Sequence, residues 1–198
     1  MNRLVQGDVG SGQTVVALIA IFNVVKCGYQ ATLMVPTEIL ANQHYQEAKK
    51  LLGSFGIHIE LLTGSTSAKE KRRIKELITT DVPMVVIGTH ALIQEDVDFK
   101  NLGLVVTDEQ HRFGVEQRNK LINKGRRPDV LVMTATPIPR TLALYVYSDL
   151  DISVIDKLPP GRKPVKTEFY NGGDRMMAYD LALDEIRKGR QVYIVCPL

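Results

Sequence analysis

Near the amino terminus, Gly7-Asp8-Val9-Gly10-Ser11-Gly12-Gln13-Thr14 has the spacing of a phosphate-binding loop, in which GxxxxG is followed by lysine and a hydroxyl residue. Glycines in such a loop let backbone N–H groups turn inward to cradle phosphate oxygens. The helix expected behind it aims the positive end of its dipole at the same oxygens. Thr14 stands where a hydroxyl would ligate Mg²⁺, which makes a Mg²⁺-nucleotide the expected cofactor. Position 13 breaks the pattern, because Gln13 offers an amide N–H where lysine would place a full charge. Losing a charge-assisted hydrogen bond costs roughly 1.5–3 kcal/mol in binding. Losing a preorganised electrostatic donor lowers turnover by about 10²–10³-fold. The chain is therefore expected to bind nucleotide weakly and to hydrolyse it poorly or not at all. As a bare motif, a glycine-rich strand-to-helix turn without a ligand is an equal reading, so context has to decide.

About a hundred residues on, Asp108-Glu109 follows an apolar run. A carboxylate at a strand end opposite a phosphate loop can hold the Mg²⁺ hydration shell, and its neighbour can orient or deprotonate the attacking water. Asp108, Glu109 and Gln13 are thus the candidate catalytic residues, with Thr14 and Asp108 as metal ligands. Thr134-Ala135-Thr136 closes the next apolar run, and its hydroxyls are placed to sense the acidic pair and pass nucleotide state onward.

These residues need a scaffold that brings distant segments to one place. Short valine-rich runs at 32–35, 84–87, 104–107, 130–133 and 192–195 read as parallel strands covered on both faces. Helical spacing at 38–52 and 68–78 lies between them. Such alternation predicts an α/β fold, an open parallel sheet with helices on both faces. The carboxyl ends of its strands deliver the loops to a common rim. Besides the segments above, that rim receives Pro36-Thr37, Thr63-Gly64-Ser65 and Gly88-Thr89-His90. The proline-rich stretch 158–164 reads as a linker. Beyond it, 165–170 reads as a strand, 174–188 as a helix and 191–195 as a second strand, one βαβ unit too small to bury a core of its own. Residues 1–156 are therefore expected to form the nucleotide-binding lobe, 157–165 the linker, and 166–198 a partial second unit.

Bulk properties exclude more than they select. With 44% apolar and 24% charged residues in 198, the chain reads as globular. A net charge of +3 is too mild to indicate nucleic acid by itself. The separated Cys27 and Cys196 form no CxxC pair, which argues against zinc and suits a reducing cytoplasm. The longest apolar stretch, 15–25, contains Asn23 and is short of a membrane span.

Read in order, the segments resemble the motifs of superfamily 2 helicases. Gly7 to Thr14 is similar to motif I, Val35-Pro36-Thr37-Glu38 to motif Ia, and Gly88-Thr89-His90-Ala91-Leu92 to motif Ib. Asp108-Glu109-Gln110-His111 is similar to motif II, and Thr134-Ala135-Thr136 to motif III. The string 133–142 resembles RecG and the transcription-repair coupling factor, whereas 108–114, 149–151 and 158–162 resemble the RecG family in particular. The resemblance implies a RecA-like lobe followed by the start of a second. It also implies ATP-driven translocation on branched or single-stranded DNA, in fork rescue and recombination repair. Pro36, Thr37, Thr63, Gly64, Ser65, Gly88, Thr89 and His90 would then touch the DNA backbone, although Thr37 and Ser65 equally suit helix N-caps. The basic cluster Lys69, Lys71, Arg72, Arg73 and Lys75 is expected to be a solvated helix face. Against the family pattern, the wedge domain, the adenine-contacting segment and the later motifs are missing, and are expected in a full-length relative. Unpaired, the terminal βαβ unit is expected to pack elsewhere, to be mobile, or to swap between two copies. A non-catalytic nucleotide- or DNA-binding remnant is one competing reading, and a translocase lobe like that of the transcription-repair coupling factor is another.

Overall fold

Apolar runs become strands and amphipathic stretches become helices, in alternation over most of the chain. β1 (Asn2–Gly7) leads to α1 (Gln13–Lys26), β2 (Gln30–Met34) to α2 (Glu38–Leu52), and β3 (His58–Leu62) to α3 (Ala68–Ile78). Then come β4 (Met84–Gly88), β5 (Leu102–Thr107), α4 (Val115–Ile122), β6 (Asp129–Thr134), β7 (Asp151–Ile155) and α5 (Arg175–Arg187). The computed structural model describes residues 1–108, 115–135, 150–157 and 165–196. The chain divides into two compact units, Met1–Pro160 and Gly161–Leu198.

In the first unit the strands form a seven-stranded sheet in the order β3-β4-β2-β5-β6-β1-β7. Every described pairing is parallel. The predicted open parallel α/β sheet is thus the observed one. β2 and β4 are buried at every position, which explains why their sequences do not alternate. Leu33, Val85, Ile87, Leu104 and Val106 pack with Leu18, Ile21 and Leu52 of α1 and α2. Their neighbours Met34, Met84, Val86 and Val105 pack with Ile74, Ile78 and Leu121 of α3 and α4. Two helix layers therefore clamp the sheet, and removing the apolar face of either would expose side chains worth roughly 1.5–3 kcal/mol each when buried. β7 has no counterpart among the predicted strands. It is an edge strand with no fully buried position, so it lacks the apolar run that marks its neighbours.

Two expectations need correction. The side chain that caps α3 is Ser67, whose Oγ accepts from the Glu70 N–H at 3.3 Å. Ser65 is not an N-cap, while Thr37 does cap α2 by accepting from the Leu40 N–H at 3.3 Å. In the second unit only the helix of the predicted βαβ forms: α5 is present, but 165–170 and 191–195 make no strand. Strand propensity is realised only against a neighbouring ladder. Within this unit the apolar side chains stay out of any core, with Phe169 at 88%, Tyr193 at 85% and Val195 at 91% exposure. The predicted linker at 158–164 lies outside the described residues. Among those described, no helix is long and apolar enough to cross a membrane.

Candidate active site

Because the strands run parallel, β1, β2, β3, β4, β5 and β6 all release their loops at the same edge of the sheet. In that row the loops form two groups. β1, β6 and β5 stand side by side and carry the phosphate loop, Thr134 and Asp108. β2, β4 and β3 carry Pro36-Thr37, Gly88-Thr89-His90 and Thr63-Gly64-Ser65. A cavity of about 930 Å³ lies far from both. It opens at the amino ends of β2, β5 and β6, lined by Tyr29, Asn101, Lys124 and Asp129 among others. Size alone does not locate the chemistry here.

The phosphate loop has the backbone its glycines foreshadow. Gly10 and Gly12 adopt φ of 80° and 99°, in the left-handed region that side chains resist. Gly12 is the N-cap of α1 and has no side-chain cap bond of its own, so the first N–H groups of this helix face the loop. Gly7 is required for a different reason: a Cβ there would lie 2.5 Å from Ser11 Oγ and 3.1 Å from both Gln13 Nε2 and Ile155 Cβ. Val9 N–H donates to Asp8 Oδ1 at 2.7 Å and Ser11 N–H to the Asp8 carbonyl at 2.9 Å, holding the turn. Ser11 Oγ is buried and has no hydrogen-bond partner. A hydroxyl left unsatisfied inside a loop of this kind fits a phosphate oxygen. A cavity of about 300 Å³ adjoins the loop, lined by Gln6, Gly7, Asp8, Ala135, Val154 and Ile155.

Gln13 does not present its amide to this cradle. Its Nε2 donates to the Gly7 carbonyl at 3.0 Å and to the Thr134 carbonyl at 2.7 Å. Both amide hydrogens are thereby engaged, and the side chain ties the phosphate loop to the end of β6. The amide at this place makes structural contacts within the loop and to β6.

Thr14 is half-buried in the first turn of α1, and Asp108 lies just past β5. The two parent strands are two positions apart in the sheet, which at the usual spacing separates them by roughly 9–10 Å. Their oxygen donors, a hydroxyl and a carboxylate, suit a hard cation such as Mg²⁺. The Asp108 N–H donates to the Met34 carbonyl at 3.0 Å, and its Oδ2 lies 2.9 Å from His44 Nε2. His44, on α2, was not among the predicted site residues. Glu109 and Thr136 lie outside the described residues, as do 110–114 and 137–149, whereas Ala135 is half-buried beside the cavity.

The second group of loops is more self-contained. Thr63 is 1% exposed, and its N–H donates to Thr66 Oγ1 at 2.9 Å. Gly88 is buried where β4 crosses close to β3, and a Cβ on it would lie 2.1 Å from the Leu62 carbonyl oxygen. Thr89 is 7% exposed, with its N–H donating to that same carbonyl at 3.3 Å. These three underlie the rim, while Thr37, Gly64, Ser65 and His90 are exposed on it and Pro36 partly so. Glu38 ties two of the loops together: its Oε1 accepts from the Ser65 N–H at 3.0 Å. Ser65, through its hydroxyl and its N–H, holds the Glu38 carboxyl below the ordinary carboxylate range. Lys71 Nζ donates to the Gly64 carbonyl at 2.6 Å. Other members of the basic cluster are likewise engaged: Arg73 with Glu60 and Glu70, Arg72 with Glu76, and Lys75 with Asp96.

Known proteins share this arrangement. The DEAD/DEAH box helicase family matches residues 1–144. The ATP-dependent DNA helicase RecG of Synechocystis sp. is 55% identical over 197 residues, covering all of this chain and 24% of that protein. RecG of Bacillus subtilis is 52% identical over 200 residues and is covered to 29%. The chain thus spans about a quarter of the length of these relatives. A solved structure of RecG bound to a three-way DNA junction superposes with a TM-score of 0.83 at 51% identity, over all of this chain and 26% of that one. The Hef helicase domain of Pyrococcus furiosus shares the fold, with a TM-score of 0.59 at 19% identity over 79% of this chain and 35% of that one. Motif order, parallel sheet and similarity along the full sequence converge, and the chain belongs to the DEAD/DEAH box helicase family, with RecG helicases among its relatives.

Proposed function

We propose that this chain is the ATP-binding motor lobe of an ATP-dependent DNA helicase that remodels branched DNA, serving replication-fork rescue and recombination repair. The observation that supports it most is the inner group of loops, where Gly7 to Thr14 and Asp108 share one edge of a parallel sheet. The N–H groups at the start of α1 would bind the triphosphate, and the helix dipole adds to the attraction. Ser11 Oγ would take a phosphate oxygen. Thr14 and Asp108 would hold Mg²⁺, which when bound neutralises charge on the terminal phosphates. Glu109 would orient the attacking water. Branched DNA is favoured as substrate class because a RecG relative is known bound to a three-way junction. Pro36, Thr37, Gly64, Ser65 and His90 would meet its backbone, with Thr63, Gly88 and Thr89 supporting them from beneath. Thr134-Ala135-Thr136 would pass nucleotide state along, starting from the Gln13 contact at Thr134. The exposed run Tyr193–Val195 supports pairing of the second unit with a further sheet, from a longer relative or a swapped second copy.

One observation favours a second reading, a non-catalytic nucleotide- or DNA-binding lobe: Gln13 spends its amide on Gly7 and Thr134. Titration of Mg²⁺-ATP into the chain tests nucleotide binding, and no binding would refute the motor assignment. Turnover separates motor from remnant. With glutamine or lysine placed at the position of Gln13 in a full-length RecG relative, the glutamine form is expected to turn over ATP about 10²–10³-fold more slowly, with and without a three-way junction. Equal rates would remove the role given to this position.

A further inference from the structure

α2 buries Ala41, Ala48 and Leu52 on one face, and His44 occupies a place on that same face. It is 6% exposed, at a position where helical spacing calls for an apolar side chain. Its Nε2 lies 2.9 Å from Asp108 Oδ2. In this bond a carboxylate oxygen accepts and the imidazole Nε2–H donates. Nδ1 is buried and has no hydrogen-bond partner. A ring selected for packing alone would not leave a nitrogen unsatisfied in the core, since an apolar residue of similar size would fill the space without that penalty. The contact with Asp108 is what the imidazole gains and a phenyl ring could not.

We propose that His44 is the positioning residue for Asp108, fixing the rotation of its carboxylate so that the group is preset for Mg²⁺-nucleotide. Met34 holds the backbone of Asp108, and the His44 contact acts on its side-chain torsion. Partners that orient a metal-binding carboxylate typically change metal affinity by 10–100-fold. Because α2 begins at Thr37–Glu38 and Glu38 grips Ser65, His44 also joins the outer loops to the metal-binding carboxylate through one rigid helix, about seven residues and roughly 10 Å long.

The inference rests on Asp108 serving Mg²⁺-ATP, and the test separates the two. Binding of a fluorescent ATP analogue to the full chain is measured across a Mg²⁺ titration and in EDTA, for the unaltered chain, His44→Ala and His44→Gln. His44→Ala is expected to raise the Mg²⁺ concentration for half-maximal binding by about tenfold while leaving the EDTA baseline alone. His44→Gln keeps an N–H donor and is expected to restore most of the loss. In spectra of ¹⁵N-histidine-labelled chain, with no nucleotide added, His44 is expected as the Nε2–H tautomer, shifted by Asp108→Asn. Unchanged Mg²⁺ dependence in His44→Ala overturns the positioning role, as does His44→Gln behaving like His44→Ala. If the unaltered chain binds no nucleotide at any Mg²⁺ concentration, the motor reading fails and this role fails with it.

Discussion

Gly12, the N-cap of α1, and Gly88, the last residue of β4, both border loops on the same edge of the sheet, yet each is glycine for a different reason. Gly12 has φ of 99° and nothing within 4 Å of where a Cβ would be; Gly88 has no positive φ, and its Cβ position runs into the Leu62 carbonyl oxygen at 2.1 Å. The pair distinguishes the two halves of the edge. Around β1, β6 and β5 the backbone leaves the start of α1 without a side-chain cap and a buried hydroxyl, Ser11 Oγ, without a partner. Around β2, β4 and β3 the chain is shaped to pack, and its loops satisfy one another through Glu38, Ser65, Thr66 and Lys71. A half with open hydrogen-bonding capacity and a bracing half share one sheet.

Substituting these two glycines would break that contrast most visibly. Gly88→Ala forces backbone apart between β3 and β4, and is expected to lower stability by about 3 kcal/mol or more in urea denaturation. Gly12→Ala meets no atoms and bears only the conformational penalty of the left-handed region, about 1–2 kcal/mol, while weakening Mg²⁺-ATP binding because the first turn of α1 shifts. Equal destabilisation by the two would mean that both halves are packed alike.

A milder change sharpens the same contrast from the other side. Glu38→Ala frees the Ser65 N–H and unties the loop after β3 from the start of α2. Its expected signature is weaker binding of a three-way DNA junction, by about three- to tenfold for one lost charge-assisted hydrogen bond at an exposed site, with nucleotide affinity within twofold of the unaltered chain. Fluorescence anisotropy with labelled junction, beside the nucleotide titration, reads both. A matching loss of nucleotide affinity would show that the halves are not separable at this position.

Which half a residue belongs to was only partly legible in the sequence. Strand-end loops could be located because valine-rich strands buried on both faces make continuous runs, and Asp108 follows such a run directly, whereas Gly7 to Thr14 was legible from its glycine spacing. The exposure of Thr37 against the burial of Thr63 and Thr89 could not be read, because all three are small hydroxyl residues after a strand. His44 was hidden more thoroughly. It lies at a core position of a helix, and its partner is 64 residues away; neither periodicity nor motif spacing carries that kind of pairing. The predicted strands 165–170 and 191–195 failed for the opposite reason, since local propensity was present and the neighbouring ladder was not.

The smallest expected effect tests the outer edge of the bracing half. Glu60, on the edge strand β3, is tied to Arg73 Nη2 at 2.7 Å and His58 Nε2 at 2.8 Å. Burial pushes its carboxyl up, but the hydrogen bonds and charges of Arg73 and His58 outweigh that and leave it below the ordinary carboxylate range. A carboxyl whose folded pKa is depressed binds fewer protons in the folded state than in the unfolded one. Its contribution is therefore fully present above its unfolded value, near pH 4.3, and disappears as pH falls through the folded value. Because Arg73 is half exposed, the contribution is of order 1 kcal/mol at most. Thermal unfolding of the unaltered chain and Arg73→Ala, followed from pH 7 to pH 3, should show a small gap in Tm that is constant at neutral pH and closes in acid. A gap that persists at pH 3 would mean that Arg73 stabilises β3 by packing its stem rather than by its charge, and the bracing of this edge would then be apolar throughout.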